Sequence, residues 1–212
     1  MSEQHFFNFN SKMSSPKYHA YLVGYNVKYM GLAPSIRLLI GNYENFTFPL
    51  IFKHNKKHKP LDILDTGTAT LHLISEKMKT ILEENKLTGW GTFPIKLLDN
   101  KENEIYGYHG FSVSGRCGEI NYNNSEILYK PYFEGGPICK FYKGWQFDLD
   151  QWDGSDFFIP KHIFTIIVTN KIEKILKTNK ISNFRLTKLM DDEVSEDIVQ
   201  IFEKRKNENR LF

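Results

Sequence analysis

The sequence predicts an α+β protein in which duplicated strand–helix–strand units pack on mostly antiparallel sheet, followed by a C-terminal helix. Short apolar runs typical of strands and two similar amphipathic helical stretches indicate this class. The chain has 212 residues, of which 41% are hydrophobic and 25% are charged. A chain of this length and composition can bury a sizeable core, so we expect little long disorder.

Two segments, residues 73–90 and 167–184, match without a gap, so that Lys77 aligns with Lys171. Each segment begins as an apolar strand, continues as a helix with one apolar stripe and returns to a second strand. The stripes are Met78, Ile81 and Leu82 in the first copy and Ile172, Ile175 and Leu176 in the second. This match predicts an internal duplication in which both stripes are buried against sheet.

The ends of the two helices carry matching polar residues. Ser75 and Thr169 precede the helices and are expected to cap their first N–H groups with a hydroxyl. Asn85 and Asn179 follow the helices and tolerate the left-handed conformation that closes a helix. The lysines of both copies are expected to face solvent: Lys77, Lys79, Lys86, Lys171, Lys174 and Lys180.

The remaining apolar runs predict further strands and a last helix. The expected strands are Tyr21–Val23, Arg37–Ile40, Phe48–Phe52, Trp90–Leu98, Ile105–Val113 and Phe184–Leu189. Pro49 indicates that its strand lies at a sheet edge, and the glycines in Ile105–Val113 suggest a bulge. The Cys117–Gly144 segment is rich in turn residues. The last helix is expected to begin near Asp191-Asp192 and to bury Val194, Ile198, Ile201 and Phe202.

The two copies suggest a division of the chain into residues 1–115 and 116–212, with the boundary near Ser114–Tyr122. The N-terminal part would hold the first copy and the C-terminal part the second. One continuous domain containing both copies is the alternative organisation. The oligomeric state is left open by the sequence.

Composition argues against nucleic-acid and membrane partners. The net charge of +3 is too small to indicate nucleic-acid binding, and the basic run Lys53–Lys59 is typical of a solvated loop between strands, although it could also meet an anion. Residues 1–7 do not resemble a signal peptide, and no apolar run is long enough to cross a bilayer. Cys117 and Cys139 do not make a disulfide framework. We therefore expect a cytoplasmic protein.

No catalytic, cofactor-binding or metal-ligating set is predicted. Asp65-Thr66-Gly67 resembles the aspartic-protease tripeptide, but the chain has no second copy of it, and a strand-ending turn explains it better. The acidic segment Asp148–Asp156 lacks calcium-loop spacing, since Trp152 stands at a ligand position and no Glu closes the loop. The two cysteines lack the additional ligands of a zinc site.

The most distinctive motif of the sequence is followed by an apolar strand and a helix. It consists of Trp152, Asp153, Gly154, Ser155, Asp156, Phe157 and Phe158. This arrangement over Gln151–Leu189 resembles the immunity-protein-eleven family of bacterial polymorphic toxin systems, whereas the first copy, Asp62–Leu98, fits the family only loosely. The paired Cys-x-x-Cys motifs of related immunity proteins are absent, so no zinc is carried over. The resemblance implies a non-enzymatic protein that binds and neutralises a cognate toxin.

The motif residues are candidates for either a structural role or an interface. On the structural interpretation, Trp152 packs inward, Asp153-Gly154 makes a tight turn, and Ser155 or Asp156 binds backbone N–H groups. A different class of function, an enzyme or small-ligand-binding protein, would use a pocket formed by Asp148–Asp156 and His109. A cleft that joins those residues would favour this alternative.

Overall fold

The computed structural model describes residues 5–12, 20–22, 32–54, 59–67 and 71–207. Over these residues the chain forms helices and many strands in mostly antiparallel sheets, which confirms the α+β class. The helices are α1 (Leu32–Leu39), α2 (Glu76–Glu84), α3 (Asn170–Thr178) and α4 (Glu196–Asn207). None of these helices combines the length and the hydropathy needed to cross a membrane.

The strands of the described residues lie in five sheets. They are β1 (Phe6–Ser11), β2 (Tyr21–Leu22), β3 (Leu50–Lys53), β4 (Ile63–Asp65), β5 (His72–Ser75), β6 (Trp90–Phe93), β7 (Ile95–Leu98), β8 (Glu104–Ile105), β9 (Tyr108–Val113), β10 (Gly115–Cys117), β11 (Ile120–Asn121), β12 (Glu126–Pro131), β13 (Ile138–Lys143), β14 (Gln146–Phe147), β15 (Phe157–Pro160), β16 (Ile166–Thr169), β17 (Phe184–Lys188) and β18 (Glu193–Ser195). The smaller sheets have the orders β2-β3-β7-β8, β12-β13-β18 and β11-β14.

The two remaining sheets are equivalent. Their orders are β4-β5-β9-β6 and β15-β16-β1-β17, with β10 added in parallel beside β15. The registers also agree, since Ser75 pairs with Tyr108 as Thr169 pairs with Phe6. Strands β9 and β1 therefore occupy the same position, although β9 follows its unit in the chain and β1 precedes its unit.

Both strand–helix–strand units form as the sequence predicts. Helices α2 and α3 are each nine residues long and start directly after β5 and β16. The apolar stripe of α2 is buried, as are Ile172 and Leu176 of α3, while Ile175 is half-buried. The common architecture of the two units is confirmed, and their origin by duplication stays a prediction, as does the division at residue 115.

The helix ends differ from the sequence-based expectation. Ser75 accepts a hydrogen bond from the Met78 N–H at 3.2 Å, as expected for a cap. The Thr169 hydroxyl makes no such bond and donates to Asp156 instead. Asn85 and Asn179, which directly follow α2 and α3, have negative φ angles, and the positive φ of 50° falls one residue later in each unit, at Lys86 and Lys180.

The asparagines instead cap the helices with their side chains. Asn85 Nδ2 donates to the Ile81 carbonyl at 2.8 Å, and Asn179 Nδ2 donates to the Ile175 carbonyl at 2.9 Å. Each amide therefore satisfies a carbonyl of the last helical turn. The left-handed residue that follows is a lysine in both units.

Several other elements correct the sequence-based prediction. Arg37–Ile40 lies mainly in α1 rather than in a strand, and β3 runs between β2 and β7 rather than at an edge. Trp90–Leu98 is two strands in different sheets, with Pro94 between them, and Ile105–Val113 divides between β8 and β9 without a continuous strand.

The Cys117–Gly144 segment contains the long β12–β13 hairpin instead of consisting mainly of turns. The last helix begins at Glu196, later than expected, so that Val194 belongs to β18. Ile201 is 44% exposed and is not buried as expected. Residues Val23 and 55–58 of the expected strand and basic run lie outside the described residues.

The main hydrophobic core draws side chains from both equivalent sheets and from both of their helices. Phe9, Phe111 and Phe157 pack edge to face, with ring centroids of Phe157 at 5.9 Å from Phe9 and 5.4 Å from Phe111. Phe9 and Phe111 hold equivalent positions in β1 and β9. The core is therefore shared between the two units rather than divided into separate cores.

One polar side chain lies within this packing and generates the first prediction. His72 is 1% exposed and stands beside the Phe9 ring, and neither ring nitrogen has a hydrogen-bond partner among the described residues. Burial lowers the pKa of His72 to about 4, although the nearby Asp65 opposes the shift. The unfolded chain would protonate this histidine near its ordinary pKa of about 6.5.

Because the folded state resists this protonation, we expect His72 to contribute no pH dependence to the free energy of unfolding above about pH 6.5. Its contribution should become unfavourable as the pH falls from about 6.5 to 4, reaching about 3 kcal/mol. Chemical unfolding of the wild type and of His72→Leu at several pH values measures the difference, since other titrating groups are common to both. Equal pH dependence in the two proteins would contradict the assignment.

Candidate functional site

The Trp152–Phe158 segment forms the corner between a short helical turn, Leu149–Gln151, and strand β15. Trp152 is half-buried, and its ring centroid lies 5.3 Å from that of Phe6 and 5.5 Å from that of Phe158. Its Nε1 donates to the Ser155 carbonyl at 3.2 Å. These contacts place the indole inward, as the structural interpretation of the motif expects.

The next three residues make a tight turn held by one carboxylate. Asp153 Oδ1 accepts from the Ser155 N–H at 3.0 Å and from the Ser155 hydroxyl at 2.5 Å. Its Oδ2 accepts from the Arg116 N–H at 2.8 Å, which ties the turn to β10. Gly154 has a φ of +80°, a conformation that strongly favours glycine.

Asp156 connects the motif to the first unit. Its buried carboxylate accepts from the Thr88 N–H at 3.0 Å and from the Thr88 hydroxyl at 3.3 Å. It also accepts from the Thr169 hydroxyl at 3.2 Å and lies 3.4 Å from Lys171 Nζ. Since Thr88 follows α2, the carboxylate of one unit holds the segment that leaves the helix of the other unit.

Asp62 makes the reciprocal contact. It precedes Ser75 by the same 13 residues that separate Asp156 from Thr169. Its carboxylate accepts from the Ser182 N–H at 2.8 Å, from the Ser182 hydroxyl at 2.7 Å and from the Ser75 hydroxyl at 2.9 Å. Lys77 Nζ lies 3.6 Å from this carboxylate, in the position that Lys171 holds beside Asp156. We call these two sets the reciprocal carboxylate contacts.

The electrostatics of Asp62 fit this role. Burial by itself raises the pKa of the Asp62 carboxyl, but the hydrogen bonds from Ser182 and Ser75 and the charge of Lys77 outweigh it, so the pKa is lowered. The carboxylate is therefore held in its charged form. Sequence reasoning missed this residue, although the gapless alignment of the two copies extends upstream and pairs Asp62 with Asp156.

The β12–β13 hairpin carries the largest group of exposed apolar side chains in the described part of the chain. Ten large hydrophobic residues are exposed in the described part of the chain, and five of them lie on this hairpin. We call these five the hairpin surface: Ile127, Tyr129, Tyr132, Phe133 and Ile138. Isolated exposed apolar residues are ordinary, whereas a contiguous group indicates an interaction surface.

A cleft of about 1120 Å³ adjoins the hairpin. The hairpin contributes Ile127, Lys140 and Tyr142, α4 contributes Val199 and Glu203, and the β11 and β14 segments contribute most of the remaining wall. This last wall includes Glu119, Ile120, Asn121, Tyr122, Asn123, Gln146, Phe147, Asp148 and Gln151. The lining is therefore largely polar and charged.

The structure places the residues of the ligand-pocket hypothesis in different surroundings. Asp148 lines the cleft, but His109 does not. His109 Nε2 instead lies 2.5 Å from Glu76 Oε2, where α2 begins. The cleft thus retains only part of the constellation that the hypothesis uses.

The other chemically active side chains have structural surroundings. Asp65 is buried at the end of β4 and accepts from the Gly67 N–H at 2.6 Å, as in a strand-ending turn. Cys117 is buried, and burial together with Asp153 raises the pKa of its thiol to about 12, so it is not a thiolate near neutral pH. Within the described ranges, no group of three or more His, Cys, Asp or Glu side chains is arranged to hold a metal ion.

Trp152→Ala should lower the free energy of unfolding by about 3 kcal/mol, because it removes an indole packed between two phenylalanine rings. Denaturant unfolding measures the loss, and Trp152→Phe, which retains part of the ring packing, should lose less. Unchanged stability combined with a loss of partner binding would show that Trp152 acts in an interface instead.

Asp62→Asn and Asp156→Asn should each lower the free energy of unfolding by about 1–3 kcal/mol, since each leaves several donors, of which Ser75 and Thr169 are buried, with a weaker acceptor. The contacts of the two carboxylates correspond, so the two losses should be similar. Asp150→Asn is the control because Asp150 is exposed, and it should change stability by less than about 0.5 kcal/mol. A loss confined to one of the two carboxylates would contradict their equivalence.

Comparison with known protein families gives a match over most of the chain. A model of the immunity protein family Imm11 matches residues 6–191, from the start of β1 to two residues before β18. The match includes both units, the hairpin surface and the Trp152–Phe158 motif. No curated protein matches the chain. Because the match spans most of the 212 residues, the chain belongs to the Imm11 immunity protein family.

Proposed function

We propose that this chain is a non-enzymatic immunity protein that binds and neutralises a cognate bacterial toxin in the cytoplasm of the producing cell. Its membership of the immunity family over residues 6–191 is the observation that carries the proposal. A protein of this kind acts by occupying a surface of its partner. It therefore needs a stable scaffold and a complementary surface rather than reacting groups.

The fold supplies a scaffold suited to this task. The core is shared by both units, and the reciprocal carboxylate contacts join each unit to the other. Such a scaffold can hold an exposed hairpin in one position before the partner arrives. Preorganisation of this kind lowers the entropy cost of association.

Binding of a small ligand in the cleft is the alternative. The volume of about 1120 Å³ is large enough for a ligand, and Asp148 is available in the wall. Sites for small molecules, however, are usually lined by apolar and aromatic side chains with few polar groups. The polar lining of this open cleft suits contact with a protein surface better, so we favour the immunity function.

Co-expression of this chain with the toxin-type protein encoded next to the chain's own gene should protect a sensitive cell, because the chain sequesters the toxin. In a purified assay, toxin activity should fall in proportion to added chain and reach its minimum near one-to-one stoichiometry. A toxin encoded beside a different immunity gene is the control and should be unaffected.

Two outcomes would contradict the proposal. Lack of both complex formation and protection would argue against an immunity function. Inactivation of the toxin by far less than one equivalent of the chain would instead indicate an enzyme.

A further inference from the structure

The hairpin surface combines features that locate a contact with a partner. Tyr129, Phe133 and Ile138 are 70%, 65% and 65% exposed, although aromatic and branched side chains of this size are normally covered. Aromatic residues are enriched at protein interfaces because they bury a large area at a small cost in side-chain entropy. Half of the exposed large hydrophobic residues of the described chain lie on this one hairpin.

Strand geometry places several of these side chains on one face. Ile127 and Tyr129 are two residues apart in β12, so they point to the same side of the sheet. Pro131, two residues after Tyr129, points to this side as well. Ile138 pairs with Pro131 across the hairpin and therefore lies on the same face. Ile127 also lines the cleft, so this face of the hairpin and the cleft form one continuous surface.

The lysines of the hairpin are already paired within the chain. Lys130 pairs with Glu193, Lys140 with Glu196 at 2.8 Å and Lys143 with Glu126 at 3.5 Å. These pairs leave the hairpin close to electrical neutrality. A partner that docks there is therefore recognised by apolar contact rather than by charge.

The adjoining cleft has the opposite character. Asp148 and Glu203 form no ion pair with the described residues, and within these residues the Asp148 carboxylate accepts only from Gln151 Nε2 and from the Asp150 N–H. Glu119 adds a third carboxylate, 3.6 Å from His162. Lys140 is already paired, which leaves Lys161 to offset these charges. The cleft is acidic on balance and fits a basic side chain.

We propose that the protein partner docks an apolar segment on the hairpin surface and places a Lys or Arg side chain in the cleft beside Asp148 and Glu203. This inference rests on the proposed function, because it locates the surface through which the toxin is bound. Apolar contact at the hairpin supplies most of the affinity, and the cleft charges guide the encounter and its orientation.

The apolar part is tested with Tyr129→Ala and Phe133→Ala, assayed against a catalytically inactive form of the toxin encoded beside the gene. Each substitution should raise the Kd by at least about thirty-fold, mainly through faster dissociation. Tyr106→Ala is a matched control, since Tyr106 is 80% exposed and lies outside the hairpin, and it should bind like the wild type. The Tm should stay unchanged in all three variants because these side chains are exposed.

The charged part is tested with Asp148→Asn combined with Glu203→Gln. Association should slow about ten-fold at low salt and should lose most of its dependence on ionic strength, while dissociation changes little. Asp197→Asn, an exposed acidic change outside the cleft lining, is the control.

The outcomes separate this inference from the proposed function. A wild type that does not bind the toxin refutes the function itself. A wild type that binds, with hairpin variants that bind equally well, refutes the location alone. If the free chain is a dimer in solution and Tyr129→Ala makes it a monomer without weakening toxin binding, the surface joins two copies of the chain and the inference is wrong.

Discussion

Two carboxylates, Asp62 and Asp156, hold the equivalent units together. A carboxylate removed from water is costly unless it is hydrogen-bonded, and each of these has donors from two directions. One set comes from its own unit, at the start of the helix, and the other comes from the backbone N–H and hydroxyl that follow the helix of the opposite unit. The hydrogen bonds are directional, so they determine how the units are placed, whereas the shared apolar core supplies the larger but less directional stabilisation.

The equivalence of the two units also explains why β1 belongs to the sheet of the second unit. In each unit, the strand before the helix and the strand after it are not adjacent in the sheet. In the first unit, β9 lies between these two strands, β5 and β6. In the described part of the chain, no segment after the second unit takes that role, and β1 occupies the position with the same register. The first and last parts of the chain are thereby joined in one sheet. The same position in the sheet can therefore be filled by a strand that follows its unit in the sequence, as β9 does, or by one that precedes it, as β1 does.

The sequence predicts the elements that depend on neighbouring residues, and it does not predict contacts between residues far apart in the chain. The helices α2 and α3, their stripes and the strands before them follow from local periodicity, which is a property of neighbouring residues. The position of β1 and the reciprocal contact of Asp62 with Ser182 join residues 120 or more positions apart, and no local pattern reports them. Arg37–Ile40, most of which lies in α1, resembles a strand in the sequence because its apolar residues are consecutive. Ile36 and Leu39 contact the main cluster while Leu38 enters another, so neighbouring residues of this helix are buried, as they are in a strand covered on both faces.

The Trp152–Phe158 motif and the hairpin surface illustrate two different reasons for a distinctive sequence. The motif is distinctive because nearly every residue in it has a structural contact: an indole between two rings, a turn that favours glycine and a carboxylate shared between units. The hairpin is inconspicuous in the sequence, since alternating apolar residues near Gly-Gly-Pro resemble any half-buried strand pair. Only the fold shows that Tyr129 and Ile138 have no core to enter. Residues that stabilise a fold are recognisable from their pattern, whereas residues that bind a partner are recognisable by the contacts that the fold leaves unmade, and for this reason we propose the hairpin rather than the motif as the binding surface.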